Sequence, residues 1–145
     1  MNDGSIKNGN NFINMELQVG VKILLENREG KFLFVQRSPD KYKEIGNQWD
    51  IVGGRIHPGI TLIENLKREV EEETGLKITE EPKLIYAQDI LRMMGKHVVR
   101  LTYKGKADGE VKLSDEHCDF RWLSLKEISE IEPMDIYLKE VLEKL

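Results

Sequence analysis

The chain has 145 residues, 39% of them hydrophobic and 33% charged, with a formal charge of −4. That length suits one domain with a proper core, not two. The acidic balance argues against non-specific binding to nucleic acid or to an anionic membrane, both of which call for a basic surface. A phosphate-bearing substrate would therefore need a local cationic site or a bound metal. One cysteine, Cys118, leaves no disulfide framework and no Cys-rich metal cluster. It fits a reducing, cytoplasmic setting and reads as a small half-buried residue beside a strand. No run reaches the ~18 apolar residues of a membrane span.

Residues 1–14, "MNDGSIKNGNNFIN", lack the apolar segment of a secretory signal and read as a flexible polar tail. Residues 15–145 then form the single domain. "ELQVGVKILLE" (16–26) and "KFLFVQRS" (31–38) read as strands joined by the turn "NREG", a hairpin with a four-residue connection. "PDKYKEIGN" (39–47) is a polar loop, and "QWDIVGG" (48–54) a short strand ending in two glycines. "RIHPGI" (55–60) holds a Pro-Gly turn, and a helix follows over 62–74. "KLIYAQDILR" (83–92) and "HVVRLTYKGKA" (97–107) flank a tight "MMGK" connection. "DFRWLS" (119–124) is a short strand, "LKEISEI" a short helix, and "MDIYLKEVLEKL" (134–145) a closing amphipathic helix. The pattern predicts a layered α/β (α+β) domain with a mixed sheet and one central helix.

The central helix is well marked. Thr61 and Glu64 make a T-x-x-E capping box, and Gly75 stands where a left-handed C′ residue is wanted. Projected at about 100° per residue, Leu62, Ile63, Leu66 and Val70 share one buried sector. Glu73 falls almost inside that sector, Glu69 at its edge, Glu72 just beyond, and Glu71 on the far side. The helix end is a poor place for them, since a carboxylate there costs roughly 0.3–1 kcal/mol. Lys67 can pair with Glu71, Arg68 with Glu72, and Glu64 with Arg68, each at i, i+4. Glu69 and Glu73 are left without a helical cation. Carboxylates beside an apolar face need a positive partner. A divalent cation suits them, because Mg²⁺ and Mn²⁺ prefer carboxylate oxygens. A solvated acidic helix end is the competing reading, as Glu is a strong helix former.

The stretch from Gly54 to Leu76, "GRIHPGITLIENLKREVEEETGL", resembles the Nudix box of the Nudix hydrolases. Gly54, Arg68, Glu69, Val70, Glu72, Glu73, Gly75 and Leu76 match that spaced motif in register. The flanking "FVQRS" and "SDEHCDFRWLSLKEI" look familiar too, so the resemblance runs from about Val19 onward. It implies a mixed sheet sandwiched between the central catalytic helix and C-terminal helices. It departs at one point: the first box glutamate is Ile60 here. In the family that residue helps hold the loop and the box arginine; Glu64, one turn before Arg68, is the expected substitute.

The resemblance implies Mg²⁺-dependent hydrolysis, with Mn²⁺ an alternative ion, of a nucleoside diphosphate linked to another moiety by metal-activated water. Glu69, Glu72 and Glu73 are the implied metal ligands, joined by the Gly54 carbonyl. Glu72 from the box and Glu116 from a later loop are the candidates for the base, and Arg68 a positioner of the glutamates. The family's tags for ADP-ribose, dinucleoside polyphosphate, coenzyme A and NADH substrates are missing, which leaves a (d)NTP-type nucleotide as the favoured substrate. A catalytically weak nucleotide-binding or sensor module is the alternative, motivated by Ile60. Arg37 is a candidate phosphate contact. Trp49 is carried as a substrate-stacking candidate, with packing under the sheet the competing and favoured role. His57, His97 and His117 have no metal-ligand spacing and receive no role. No nucleic-acid or membrane partner is expected, and a homodimer is compatible with all of this.

Overall fold

The computed structural model describes residues 5–8, 11–39 and 47–145. Most of the polar loop expected at 39–47 lies outside them. Within the expected N-terminal tail, β1 (Ser5–Asn8) and β2 (Asn11–Asn14) pair antiparallel, with Ile6 opposite Ile13 and Lys7 opposite Phe12. The Asn- and Gly-rich composition hid these β-forming pairs. The ribbon is separate from the main sheet.

The main sheet is built around β3 (Glu16–Glu26). It runs parallel to β9 (Lys96–Asp108) along its whole length, from Glu16↔Lys96 to Glu26↔Lys106. Its other edge takes β6 (Val52–Arg55) antiparallel and touches β4 (Phe32–Arg37) only at Glu26↔Phe32. The expected hairpin therefore splays just beyond its turn. β4 turns away to pair with β5 (Trp49–Asp50) and β10 (His117–Leu123). β7 (Lys77–Ile78) and β8 (Lys83–Ile90) lie antiparallel to β9.

The single strand expected at 48–54 divides at Ile51. Asp50 Oδ1 accepts the Ile51 N–H at 2.8 Å and so withdraws it from the ladder. The chain thereby switches from β4 to β3 and delivers the two glycines beside the sheet's central strand.

Helix α1 spans Leu62–Thr74, as its capping signals predict. Thr61 Oγ1 accepts the Glu64 N–H at 3.1 Å, and Gly75 (φ 73°) donates its N–H to Glu71 at 2.9 Å. Helix α2 spans Ile136–Glu143 and is capped by Asp135, two residues later than expected at its start. The helix expected over 125–131 is a single 3-10 turn at Ile128–Glu130.

Two cores flank the sheet, as the period of two along a strand requires. Val21, Ile23 and Leu25 of β3 pack with Leu66 and Val70 beneath α1. Leu24 packs with Phe34, Trp49, Ile51 and Leu138 beneath α2. The sheet is thus sandwiched between the two helices.

Candidate active site

The loop before β10 is strapped to the end of α1. Lys112 and Ser114 donate their N–H groups to the carbonyls of Thr74 at 2.8 Å and Glu73 at 3.2 Å. These carbonyls have no partner within the helix. The strap brings Glu116 and His117 beside Glu73. A cavity of about 430 Å³ opens there over β3, β8 and β9. Its acidic side is Glu69, Glu73 and Glu116, and its cationic side is Lys22, Arg37, Arg55, Arg92 and Arg100. A neighbouring recess of about 400 Å³ is lined by Arg68, Glu69, Glu72, Glu73 and Glu116.

The helix edge lies as projected: Glu73 is buried, the Glu69 side chain is 13% exposed and that of Glu72 is 60% exposed. Glu73 Oε2 accepts the Gly53 N–H at 3.1 Å, and Oε1 lies 3.7 Å from His117 Nδ1. Burial pushes the Glu73 carboxyl up to about 9; Glu69 and Glu116 add to this, while Lys22 and the Gly53 amide oppose it. Burial likewise pushes His117 down to about 4, helped by Lys22 and Arg37 against Asp50. The Glu73–His117 contact is therefore between neutral groups near pH 7, not an ion pair. His117, assigned no role from its spacing, belongs to the cavity wall.

Glu69 does not lack a cation. Arg68 Nη1 reaches Glu69 Oε1 at 3.1 Å as well as Glu72 Oε2 at 3.3 Å. The expected pairing of Glu64 with Arg68 is replaced by Asn65, whose Oδ1 accepts from Arg68 Nη2 at 2.9 Å. Asn65 is fully buried and bonded to the backbone of the 57–61 loop, so its amide is fixed where it meets the arginine.

The cationic side is held by a buried charge network. Asp50 takes Arg37, Arg100 at 3.0 Å and Lys22 at 3.3 Å; Asp135 takes Arg100 at 3.0 Å and Arg37 at 3.6 Å. Burial alone would raise the Asp50 carboxyl. Arg100, Lys22 and Arg37, with the Ile51 N–H, outweigh it and hold Asp50 well below the usual carboxylate range. Burial lowers Arg55, and its neighbours Arg100 and Arg37 lower it further. Such crowding of like charge suits a polyanionic ligand.

Lys22, Asp50, Arg55, Arg100 and Asp135 were not singled out from the sequence. For Lys22, Asp50 and Arg100 the signal was a charged residue inside an apolar strand, as in "VGVKILL", "QWDIVGG" and "HVVRLTY". A charge buried there must be paired or face a cavity. Arg37 does lie on the cavity wall. Trp49 does not: it is 3% exposed and packs with Phe34 and Met134 in the second core, which corrects its candidacy for stacking on substrate. Cys118 is exposed on β10 rather than half-buried.

Among the described residues, no three His, Cys, Asp or Glu side chains already converge as a metal cage. The donor set nevertheless fits a hard divalent cation. Five carboxylates, those of Glu69, Glu72, Glu73, Asp115 and Glu116, line one recess, and burial and mutual repulsion keep a proton on Glu73. Gly54 fits closely against them, since a Cβ there would meet the Glu69 carboxylate at 2.9 Å.

An acidic helix edge facing a cationic wall defines a site for a phosphate-bearing ligand. Residues 16–145 match the family model of the NUDIX domain. The nucleoside triphosphatase NudI of Escherichia coli (strain K12) is 30% identical over 115 residues, 72% of this chain and 80% of its own length. The RNA pyrophosphohydrolase of Pelagibacter ubique (strain HTCC1062) is 28% identical over 141 residues, 83% of this chain and 85% of its own. The crystal structure of the MutT protein from Methanosarcina mazei Go1 superposes with a TM-score of 0.78 at 30% identity, covering 90% of this chain and 93% of that one. The chain belongs to the Nudix hydrolase family, and it is a hydrolase acting on phosphoric anhydride bonds. No helix among the described residues is long and apolar enough to cross a membrane.

Proposed function

We propose that the chain hydrolyses a nucleoside triphosphate, using Mg²⁺ held by Glu69, Glu72, Glu73 and the Gly54 carbonyl. The observation that carries this reading is the meeting, in one cavity, of Glu69, Glu73 and Glu116 with Lys22, Arg37, Arg55 and Arg100. When bound, the cation supplies Lewis-acid stabilisation of phosphate charge and lowers the pKa of water. The chain's own groups do the rest. Arg37 and Arg55 bind and orient the phosphate oxygens, which is most of what phosphoryl transfer asks of a protein. Glu116, which lines both the cavity and the recess, takes the proton of the attacking water. A water oxygen–phosphorus bond forms, the anhydride P–O bond breaks, and the leaving group departs as a phosphate.

A free nucleotide suits a cavity of about 430 Å³, within the range of small-molecule sites. A net charge of −4 disfavours tracking an RNA backbone. A single exposed thiol, Cys118, is consistent with work in the cytoplasm. The test is a hydrolysis panel with Mg²⁺ or Mn²⁺: NTPs, dNTPs, ADP-ribose, dinucleoside polyphosphates and triphosphate-ended RNA. Turnover of one or more NTPs or dNTPs that disappears in Glu116→Gln but persists in a surface control supports the reading. Preference for the RNA arm overturns the substrate class, and full activity in Glu116→Gln overturns the base.

A further inference from the structure

Position 60 carries no carboxylate, yet Arg68 is held. Asn65 has 0% exposure inside α1, where an asparagine is a weaker helix former than alanine or leucine. Its amide is fully used, as a buried polar group must be. Oδ1 accepts from the His57 N–H at 2.8 Å and from Arg68 Nη2 at 2.9 Å. Nδ2 donates to the carbonyls of Thr61 at 2.9 Å and Ile60 at 3.0 Å. One side chain thus ties the loop entering the helix to the arginine that meets Glu69 and Glu72. The side chain of Ile60 points to solvent, 40% exposed, and the residue takes part through its carbonyl.

We infer that Asn65 is a positioning residue that replaces the absent acid of position 60, clamping the 57–61 loop and aiming Arg68 at Glu69 and Glu72. A neutral acceptor has a further consequence. It orients the guanidinium without competing for its charge, which remains for the two glutamates. The inference rests on the hydrolase reading of the site, and it acts through Arg68 rather than on substrate.

The test uses the full chain with Asn65→Asp and Asn65→Leu, which share the branched side-chain skeleton of asparagine, and Ile60→Glu in the native and Asn65→Leu backgrounds. Readouts are kcat and KM for an accepted nucleoside triphosphate, and Mn²⁺ affinity titrated without substrate. Asn65→Leu should lower kcat and Mn²⁺ affinity by roughly ten- to a hundredfold, the usual cost of losing support behind a metal site. KM should change little. Asn65→Asp keeps the acceptor contacts with His57 and Arg68 but turns a carboxylate oxygen on the carbonyls of Ile60 and Thr61, so it should loosen the loop while still holding Arg68, and kcat should fall less than in Asn65→Leu. Ile60→Glu should do little in the native chain and restore most of the loss in Asn65→Leu. Native kcat and Mn²⁺ affinity in Asn65→Leu overturn the inference, as does an equal effect of Ile60→Glu in both backgrounds. Should Asn65→Leu fail to fold, Asn65→Ala, which removes the same contacts, takes its place: a loss of roughly tenfold or more in kcat and Mn²⁺ affinity upholds the inference, and native values overturn it. A native chain that binds Mn²⁺ but hydrolyses nothing in the panel would sink the substrate reading while the titrations still judged Asn65. A chain that does neither sinks both.

Discussion

Glu73, at the end of α1, accepts the backbone N–H of Gly53 at 3.1 Å and so fastens the helix to the strand turn that carries the glycines. The contact is made by a carboxyl whose pKa is pushed up to about 9, chiefly by burial. A carboxyl raised above its unfolded value of 4.5 stabilises fully below that value, and the contribution is lost as pH rises toward 9. His117 works in the opposite sense: lowered from 6.5 to about 4, it favours the fold above 6.5 and loses that contribution as pH falls through 4. Of the two, only Glu73 acts above 6.5. The metal-free chain should therefore melt at progressively lower temperature between pH 6.5 and 9, and Glu73→Gln should flatten that slope. A thermal melting series in the presence of a chelator checks it; an unchanged slope in Glu73→Gln would show that Glu73 is not protonated in the fold.

The partners of Asp50 set the second expectation. Its carboxylate is fully buried and answers Lys22, Arg37 and Arg100 together. Asp50→Asn keeps the volume but leaves three cations facing one another with only Asp135 between them. Breaking a buried charge network by removing one partner costs about 3–5 kcal/mol. Denaturant unfolding should register that loss, and added inorganic triphosphate should recover part of it by supplying the missing negative charge. A loss under about 1 kcal/mol, the scale of an exposed pair, would mean that the network is open to solvent.

Much of this was legible in the chain, and what was not has a common cause. Helix α1 was legible to the residue because its signals are local: Thr61 caps one end, Gly75 turns the other, and the apolar spacing fixes the buried face. The ranking of Glu73, Glu69 and Glu72 by depth followed from the same rotation. The partner of Arg68 did not. The i, i+4 rule describes an exposed helix surface and pointed to Glu64, whereas the loop backbone of 57–61 crosses the helix at Asn65. The cationic wall was hidden because residues 22, 50, 100 and 135 meet only through the parallel pairing of β3 with β9 and the strand switch at Ile51. Trp49 shows the converse: a residue next to the site in sequence that the alternation of β5 turns into the opposite core.

Glu69 and Glu71 are two residues apart and should behave as different kinds of residue. Glu69 lines both the cavity and the recess, while Glu71 is exposed on the far side of the helix. Glu69→Gln should reduce kcat by ~100-fold or more, about 2.7 kcal/mol of barrier, with the fold intact. Glu71→Gln should leave kcat within about twofold, as exposed helix substitutions normally do. Steady-state rates for the two variants on one substrate decide the matter. Comparable losses would show that the helix faces are misassigned.

The adjacent glycines offer the sharpest separation of fold from chemistry. Gly53 has φ +146°, and a Cβ there would lie 1.9 Å from the carbonyl oxygen of Val21 and 2.8 Å from the Cα of Lys22. Those atoms belong to the central strand and cannot move aside, so Gly53→Ala should fail to fold or lose several kcal/mol, on the order of the larger single-site losses. At Gly54 the nearest atoms a Cβ would meet are those of the Glu69 carboxylate, at 2.9 Å, the far end of a side chain. Gly54→Ala should therefore fold with melting near native, displace Glu69, and lower kcat and Mn²⁺ affinity together by roughly tenfold or more. Melting curves and rates for the pair are the measurement. If Gly54→Ala lost stability as Gly53→Ala does, the Glu69 carboxylate would be rigidly held by the fold; if it lost nothing in either rate or Mn²⁺ affinity, the position of Glu69 against Gly54 would be irrelevant to the reaction.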